Sequence, residues 1–288
     1  MTVIEQPAKK SSTPRSVIGD YLGEQIDKIF AGEMALRLGE DAVHATRVAI
    51  RRLRSTLRTL QPLFDTAATK HLDLELRWYA DILGRARDAQ VQRKRLVAAI
   101  EEIPPELVLG PVVNRIRQDL SAAEAEALAD AADARTDDRY ENLMAALRAW
   151  ETEPRFATRG VGKKRLRKRV EKASRKARKR LWGAIEAPDS EEEMHRARKS
   201  AKRARYAAEL AVPVFGKRAR STMKSHKKVQ RILGEHHDSV VSAELIRTLA
   251  VRAGTAPGEN GFTYGLLYAG QRRAAHLARA KVIRRSFR

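Results

Sequence analysis

An all-α fold, arranged as two pseudo-symmetric helical-bundle halves, is what this sequence predicts, and three observations carry the prediction. Apolar residues recur at the 3.6-residue helical period along almost all of the 288-residue chain. Proline and glycine gather between these periodic stretches, where helix punctuation belongs. A motif of the first half also returns, in the same order, about 150 residues later.

The elements follow in order. Helices are expected at about 16–38 and 41–61, the second closed by Pro62, and at about 66–101, closed by Pro104 and Pro105. Two shorter ones follow at about 108–132 and 137–151, before Pro154. The second half repeats the pattern at about 161–186 before Pro188, 190–212 before Pro213, 217–252 before Pro257, and 259–285. Residues 1–13 are expected to be a flexible N-terminal tail and 14–288 a single domain, with halves 14–158 and 159–288. Alternating β-type patterns are almost absent.

Composition bounds the function. Hydrophobic residues make up 43% and charged residues 33%, too apolar in pattern for disorder and well suited to long amphipathic helices. The formal charge is +22, and it is unevenly placed: residues 1–158 hold 23 basic and 25 acidic side chains, the remainder 35 and 11. Such a field draws anions from a distance and says nothing about fold. Cysteine is absent, which excludes disulfides and thiolate chemistry. The first 16 residues lack the apolar stretch of a secretory signal, and no run approaches the ~20 apolar residues of a membrane span. A soluble, cytoplasmic protein without membrane contact is expected.

The repeat locates the candidate site. His44, Arg47, Arg51, Arg52 and Arg54 stand at the spacing HxxRxxxRRxR, and His195, Arg198, Lys202, Arg203 and Arg205 repeat it 151 residues on. At an offset of 150, Ile82-Leu83-Gly84 maps onto Ile232-Leu233-Gly234 and Asp88 onto Asp238. On a helical wheel His44, Arg47, Arg51, Arg54 and Arg58 share an arc of about 80°, apart from an oily stripe of Ile50, Leu53, Leu57 and Leu60. In the second copy Ala201, Ala204, Ala208 and Ala211 take the oily positions. Like charges at this spacing repel by a few tenths of a kcal/mol per pair, so an anion is expected opposite. The first stripe runs about 21 Å, long enough for a linear polyanion. Arginine forks and a mobile lysine suit phosphate without fixed register, and a histidine beside phosphates would be protonated near neutral pH.

Other constellations have two readings. The helix at 163–180 is basic on nearly every side of a narrow seam formed by Leu166, Val170, Ala173, Ala177 and Leu181. It is either a phosphate- or nucleic-acid-contacting wall or a solvated face. His236-His237-Asp238 invites a metal-dependent phosphohydrolase reading, but adjacent helical histidines diverge by about 100°, and the first copy has no histidine there. Metal ligation is not expected; His237 is expected near the anion, with Asp88 and Asp238 pairing with cations of the neighbouring helix. Arg77 and its repeat partner Lys227 are further candidate contacts. Trp78, Tyr79, Trp150, Trp182 and Tyr206 are expected to pack in the core or along seams. No P-loop, dinucleotide fingerprint, nucleophile elbow or kinase signature is present, so neither catalysis nor a cofactor is expected.

With both motifs present twice in an all-helical setting, residues 14–288 resemble the CHAD family, the conserved-histidine α-helical domain. The resemblance implies internal two-fold symmetry and a basic lining that binds inorganic polyphosphate and can place a protein at polyphosphate granules. It makes His44, Arg47, Arg51, Arg54, His195, Arg198, Lys202 and Arg205 the expected anion contacts. Arg58 is not carried over, because its repeat partner is Glu209. Family members are often fused to a CYTH triphosphate-tunnel domain; its ExExK signature is missing, so a stand-alone module without triphosphatase activity is expected. A nucleic-acid or ribosome-associated protein using the 163–180 helix is the alternative, with nucleic acid otherwise a weaker competitor for the same cations.

Overall fold

The computed structural model describes residues 13–158 and 160–286, so all but the last residue of the expected tail lies outside the described residues. Among the described residues the first five helices are α1 (Pro14–Arg37), α2 (Val43–Leu60), α3 (Thr66–Glu101), α4 (Val112–Asp133) and α5 (Asp138–Thr152). Four more follow: α6 (Lys163–Glu186), α7 (Glu191–Leu210), α8 (Val212–Ala253) and α9 (Phe262–Ser286). Apart from one bridge between Phe64 and Phe156, extended pairing is absent among the described residues.

Local chemistry sets the helix starts. The side chains of Asp65, Asp137 and Ser190 accept hydrogen bonds from the backbone N–H groups of Ala68, Arg139 and Glu193, capping α3, α5 and α7. Glu191, Glu192 and Glu193 in the first turn of α7 add favourable charge to its positive end. The largest departure from the sequence expectation is at α8, which begins at Val212 rather than near 217. Its axis breaks at Gly216, whose φ of +56° is open to glycine at little cost, so the regular helix resumes just beyond.

Each of α1, α2 and α3 packs on the next, as does each of α6, α7 and α8, and α2 lies against α7. The oily stripe of α2 sits in the main core, where Ile50, Leu53 and Leu57 are fully buried together with Tyr79, Leu147 and Trp150. Truncating any of the three to alanine costs about 2–5 kcal/mol. On α7 the stripe is Ala201, Ala204, Ala208 and Ala211, all buried, which lets the helix axes approach closely. Because these faces are locked in the core, the basic arcs on the same helices are fixed in direction. A second cluster, with Leu96, Ile100, Ile116, Ile246 and Tyr264, ties the far ends of α3, α4, α8 and α9 together. Trp182 is not in a seam: it is 50% exposed, because it stands one residue, about 100°, past the apolar line of α6 that ends at Leu181.

Candidate anion-binding site

The two basic arcs meet in one cleft of about 600 Å³. From α2 it is lined by His44, Arg47 and Arg51, and from α7 by Arg198 and Lys202. The flanking long helices add Arg87, Asp88 and Gln92 from α3, and Gln230, Arg231, Glu235, His237 and Asp238 from α8. Six Arg/Lys side chains thus face three carboxylates, leaving a positive excess drawn from both halves of the chain.

Several of these cations are held by specific partners. Arg47 Nη1 donates to the Ala80 carbonyl at 2.7 Å. A methyl group on Gly84 would collide with that guanidinium, so the glycine of the Ile-Leu-Gly motif is what lets Arg47 lie against α3. Arg51 Nε donates to the Tyr206 hydroxyl at 3.2 Å, bridging α2 to α7. Beside it Arg52 pairs with Glu209 at 3.1 Å. Arg198 Nη2 lies 3.5 Å from Asp238 Oδ1, and its Nε is buried without a hydrogen-bond partner among the described residues. Asp238 thus pairs with the neighbouring helix as expected; Asp88 sits in the field of Arg47 and Arg198, although burial raises its pKa.

The charges strain one another. Burial, then Arg198 and Arg51, push the Lys202 ammonium down to about 7. Burial, then Arg198 and His195, lower His237 to about 4. His44 is lowered by burial, then by Arg87 and Arg51, and His195 by burial, then by Lys199 and Arg198. Burial and the surrounding cations thus disfavour the charged form of these rings, and a histidine charged near neutral pH requires the opposing charge of an anion beside it.

Of the predicted contacts, His44, Arg47, Arg51, Arg198, Lys202 and His237 line the cleft. His195 stands just behind, its ring centroid 5.5 Å from that of His237. Four others do not reach it. Arg54 is captured by Asp73, its Nε 3.1 Å from Oδ1, one turn beyond the cleft. Arg205 lies behind the wall, donating to Gln230 Oε1 at 3.1 Å and standing 3.9 Å from Glu209. Arg77, exposed and 3.5 Å from Asp81, and Lys227, also exposed, each lie seven residues before the glycine at their cleft, about 10 Å along the helix axis.

Arg87, Gln92, Gln230 and Arg231 belong to the cleft and were missed. The signal existed for two of them: Arg87 is the repeat partner of His237, and Arg231 lies three residues before Gly234 on the same face. His236 and His237 diverge as their helical positions require. His236 is 1% exposed with Nε2 3.7 Å from Glu191, on the side away from the cleft. That separation removes the paired geometry a hydrolytic metal centre built on this dipeptide would need.

Fold and cleft together define an all-helical protein whose cations converge from four helices on a shared hollow. The chain belongs to the CHAD domain family, whose model matches residues 20–247. It is similar in structure to PptA from Streptomyces chartreusis, with a TM-score of 0.77 at 22% identity over 96% of this chain and 99% of that one. It is likewise similar to the crystal structure of the CHAD domain from the plant Ricinus communis, with a TM-score of 0.70 at 24% identity over 97% and 96% of the two chains. At those identities the likeness is one of fold. Among curated proteins it is similar to Rv2226 and MT2285 of Mycobacterium tuberculosis, 35% and 34% identical over 262 residues. These matches cover 88% of this chain and 49% of each relative, so the chain spans about half the length of the curated relatives it matches. Among the described residues no helix is long and apolar enough to cross a membrane.

Proposed function

We propose that this chain, a domain of two like halves at 14–158 and 159–288, binds inorganic polyphosphate in the central cleft without chemically altering it. The observation that carries the reading is the convergence of Arg47 and Arg51 with Arg198 and Lys202 in one hollow lined from four helices. A phosphate chain offers what this lining lacks: a regular row of negative oxygens that accept from several guanidinium forks at once. Burial and neighbouring cations hold the His44 and His237 rings below their ordinary value, which makes each a weak proton acceptor. The same cleft would tether the protein to polyphosphate granules. Family membership supports the ligand class, because the resemblance read from the sequence implies it.

The test is a titration of the wild type and of Arg47→Ala/Arg198→Ala with polyphosphate, with duplex DNA as competitor. Charge-assisted contacts contribute about 1.5–3 kcal/mol each, so the double variant should bind at least about a hundredfold more weakly. Unchanged affinity would remove the cleft as the site. DNA displacing polyphosphate at lower phosphate concentration would favour the nucleic-acid reading.

A further inference from the structure

The ion pairs of this protein follow a habit. Arg52, Arg93, Arg139 and Arg279 each have a carboxylate within 4 Å, as do many other surface arginines. Other cations lack one among the described residues, and four of these gather at one hollow. A second cleft, of about 270 Å³, opens between the end of α2, the middle of α6 and the centre of α7. Its lining includes Arg58, Arg169, Lys172, Lys176 and Arg203, with no acidic residue among its lining side chains. Arg58 is held by Asp73 through Nε at 2.8 Å and Nη2 at 2.6 Å. The other four form no ion pair among the described residues.

Exposure separates these four into two kinds. Lys172 and Lys176 are exposed, whereas Arg169 and Arg203 are half-buried. Arg203 lies in a poor place for an unpaired charge: burial, then the nearness of Arg58, lowers its pKa, and Asp73 only partly offsets this. Ser200, whose hydroxyl is buried on the same helix, lines the cleft as well. A half-buried guanidinium without a carboxylate costs folding energy unless an anion completes it. At about 270 Å³ the hollow has room for one or two phosphate units. Donors of mixed reach around it, a planar fork on Arg203 and two mobile ammoniums on α6, match tetrahedral oxyanions.

We propose that this second cleft is a separate phosphoryl site, in which Arg169, Lys172, Lys176 and Arg203 hold one or two phosphate units. The inference stands apart from the polyphosphate reading of the central cleft. The units could come from free phosphate or pyrophosphate, or from a long chain that leaves the central cleft and follows α2 from Arg51 to Arg58, about 10 Å further along. Asp73 is clamped between Arg54 and Arg58 along that path.

The probes are pyrophosphate, tripolyphosphate and long-chain polyphosphate, titrated into the full chain by calorimetry with NMR of the arginine Nε–H signals. Lys172→Ala/Lys176→Ala removes two exposed side chains without touching the core. If free anions use the site, pyrophosphate shifts Arg203 and Arg169 even in Arg47→Ala/Arg198→Ala, and the lysine variant weakens it about tenfold. If chain ends use it, the lysine variant weakens long chains about tenfold and leaves tripolyphosphate unchanged. The proposal is overturned if the lysine variant and Arg203→Gln both bind all three probes as the wild type does. A failure of the central-cleft reading looks different: long chains would then bind equally well with and without Arg47 and Arg198.

Discussion

Lys202 makes the central cleft a proton-linked site, and the linkage gives a sharp expectation. Its ammonium, buried and crowded by Arg198 and Arg51, is pushed down to about 7 in the empty protein. Above that pH the neutral amine dominates; below it the charged form does. A polyanion favours the charged form and raises the pKa of Lys202 in the complex. Affinity is therefore highest below about pH 7 and falls as pH rises toward the pKa of the complex. Each unit of pKa displacement corresponds to about 1.4 kcal/mol, or tenfold, so a displacement of two units weakens binding about a hundredfold over the whole titration and about 25-fold between pH 7 and pH 9. The assay is calorimetry with a long-chain polyphosphate, whose terminal groups are too few to matter, in buffers of different ionisation enthalpy. Binding at pH 7.5 should take up about three quarters of a proton at Lys202. The control is Lys202→Arg, which keeps the charge throughout and should flatten the profile. Burial and neighbouring cations hold His44 and His195 below their ordinary value and His237 at about 4, so any proton that the bound anion draws onto them adds to the uptake, and the Lys202→Arg control separates the share of the lysine. A wild-type affinity constant within twofold from pH 6.5 to pH 9, or an equal slope in Lys202→Arg, would refute the reasoning.

Two further outcomes follow from the same geometry. Polyphosphate affinity should fall with salt at a log–log slope of roughly −4, as expected when six cations each release about 0.7 of a counterion from a single-stranded polyanion; a slope near zero in binding titrations from 50 to 300 mM salt would contradict the electrostatic mechanism. Gly84→Ala should drive the Arg47 guanidinium off α3 and its bond to Ala80, lowering affinity about tenfold with little change in helicity by circular dichroism, whereas Gly234→Ala, where an added methyl meets nothing, should bind as the wild type.

The sequence made the helices legible because their punctuation is chemical. Prolines mark the breaks, and side-chain caps at Asp65 and Ser190 sit where the periodic pattern begins. The direction of the stripes was legible for the same reason: Ile50, Leu53 and Leu57 define one face of α2, so the position of Arg47 and Arg51 follows from the wheel. What a wheel cannot contain is where the neighbouring helix ends its contact. Arg54 falls on the same arc as Arg51, yet Asp73 of α3 reaches it first. Arg77 and Lys227 carry the right charge on the right helices and stand about 10 Å too far along them. Arg87 was legible only as the repeat partner of His237 at the 150-residue offset. Only the pairing of Gly84 with Arg47 shows which turn of α3 faces the cleft.

Asp88 and Asp238 look out of place in a cleft built for anions, and their geometry explains them. Burial, and then repulsion from Arg198 and Arg51, draw Lys202 down to about 7. Asp238, 3.5 Å from Arg198, and Asp88, in the field of Arg47 and Arg198, offset part of that repulsion before any ligand arrives. Neither carboxylate consumes the donors it faces. A guanidinium carries five N–H groups, and Arg198 retains a buried Nε with no partner among the described residues. The carboxylates thus hold the forks in place while leaving part of each fork to bind, so a phosphate chain adds to the charge network rather than displacing it. A cleft with no acidic residues would attract anions more strongly but would be poorly ordered when empty, with long side chains driven outward by their own charge. Positioning before binding lowers the side-chain entropy lost on binding, and that saving offsets the attraction given up to Asp88 and Asp238.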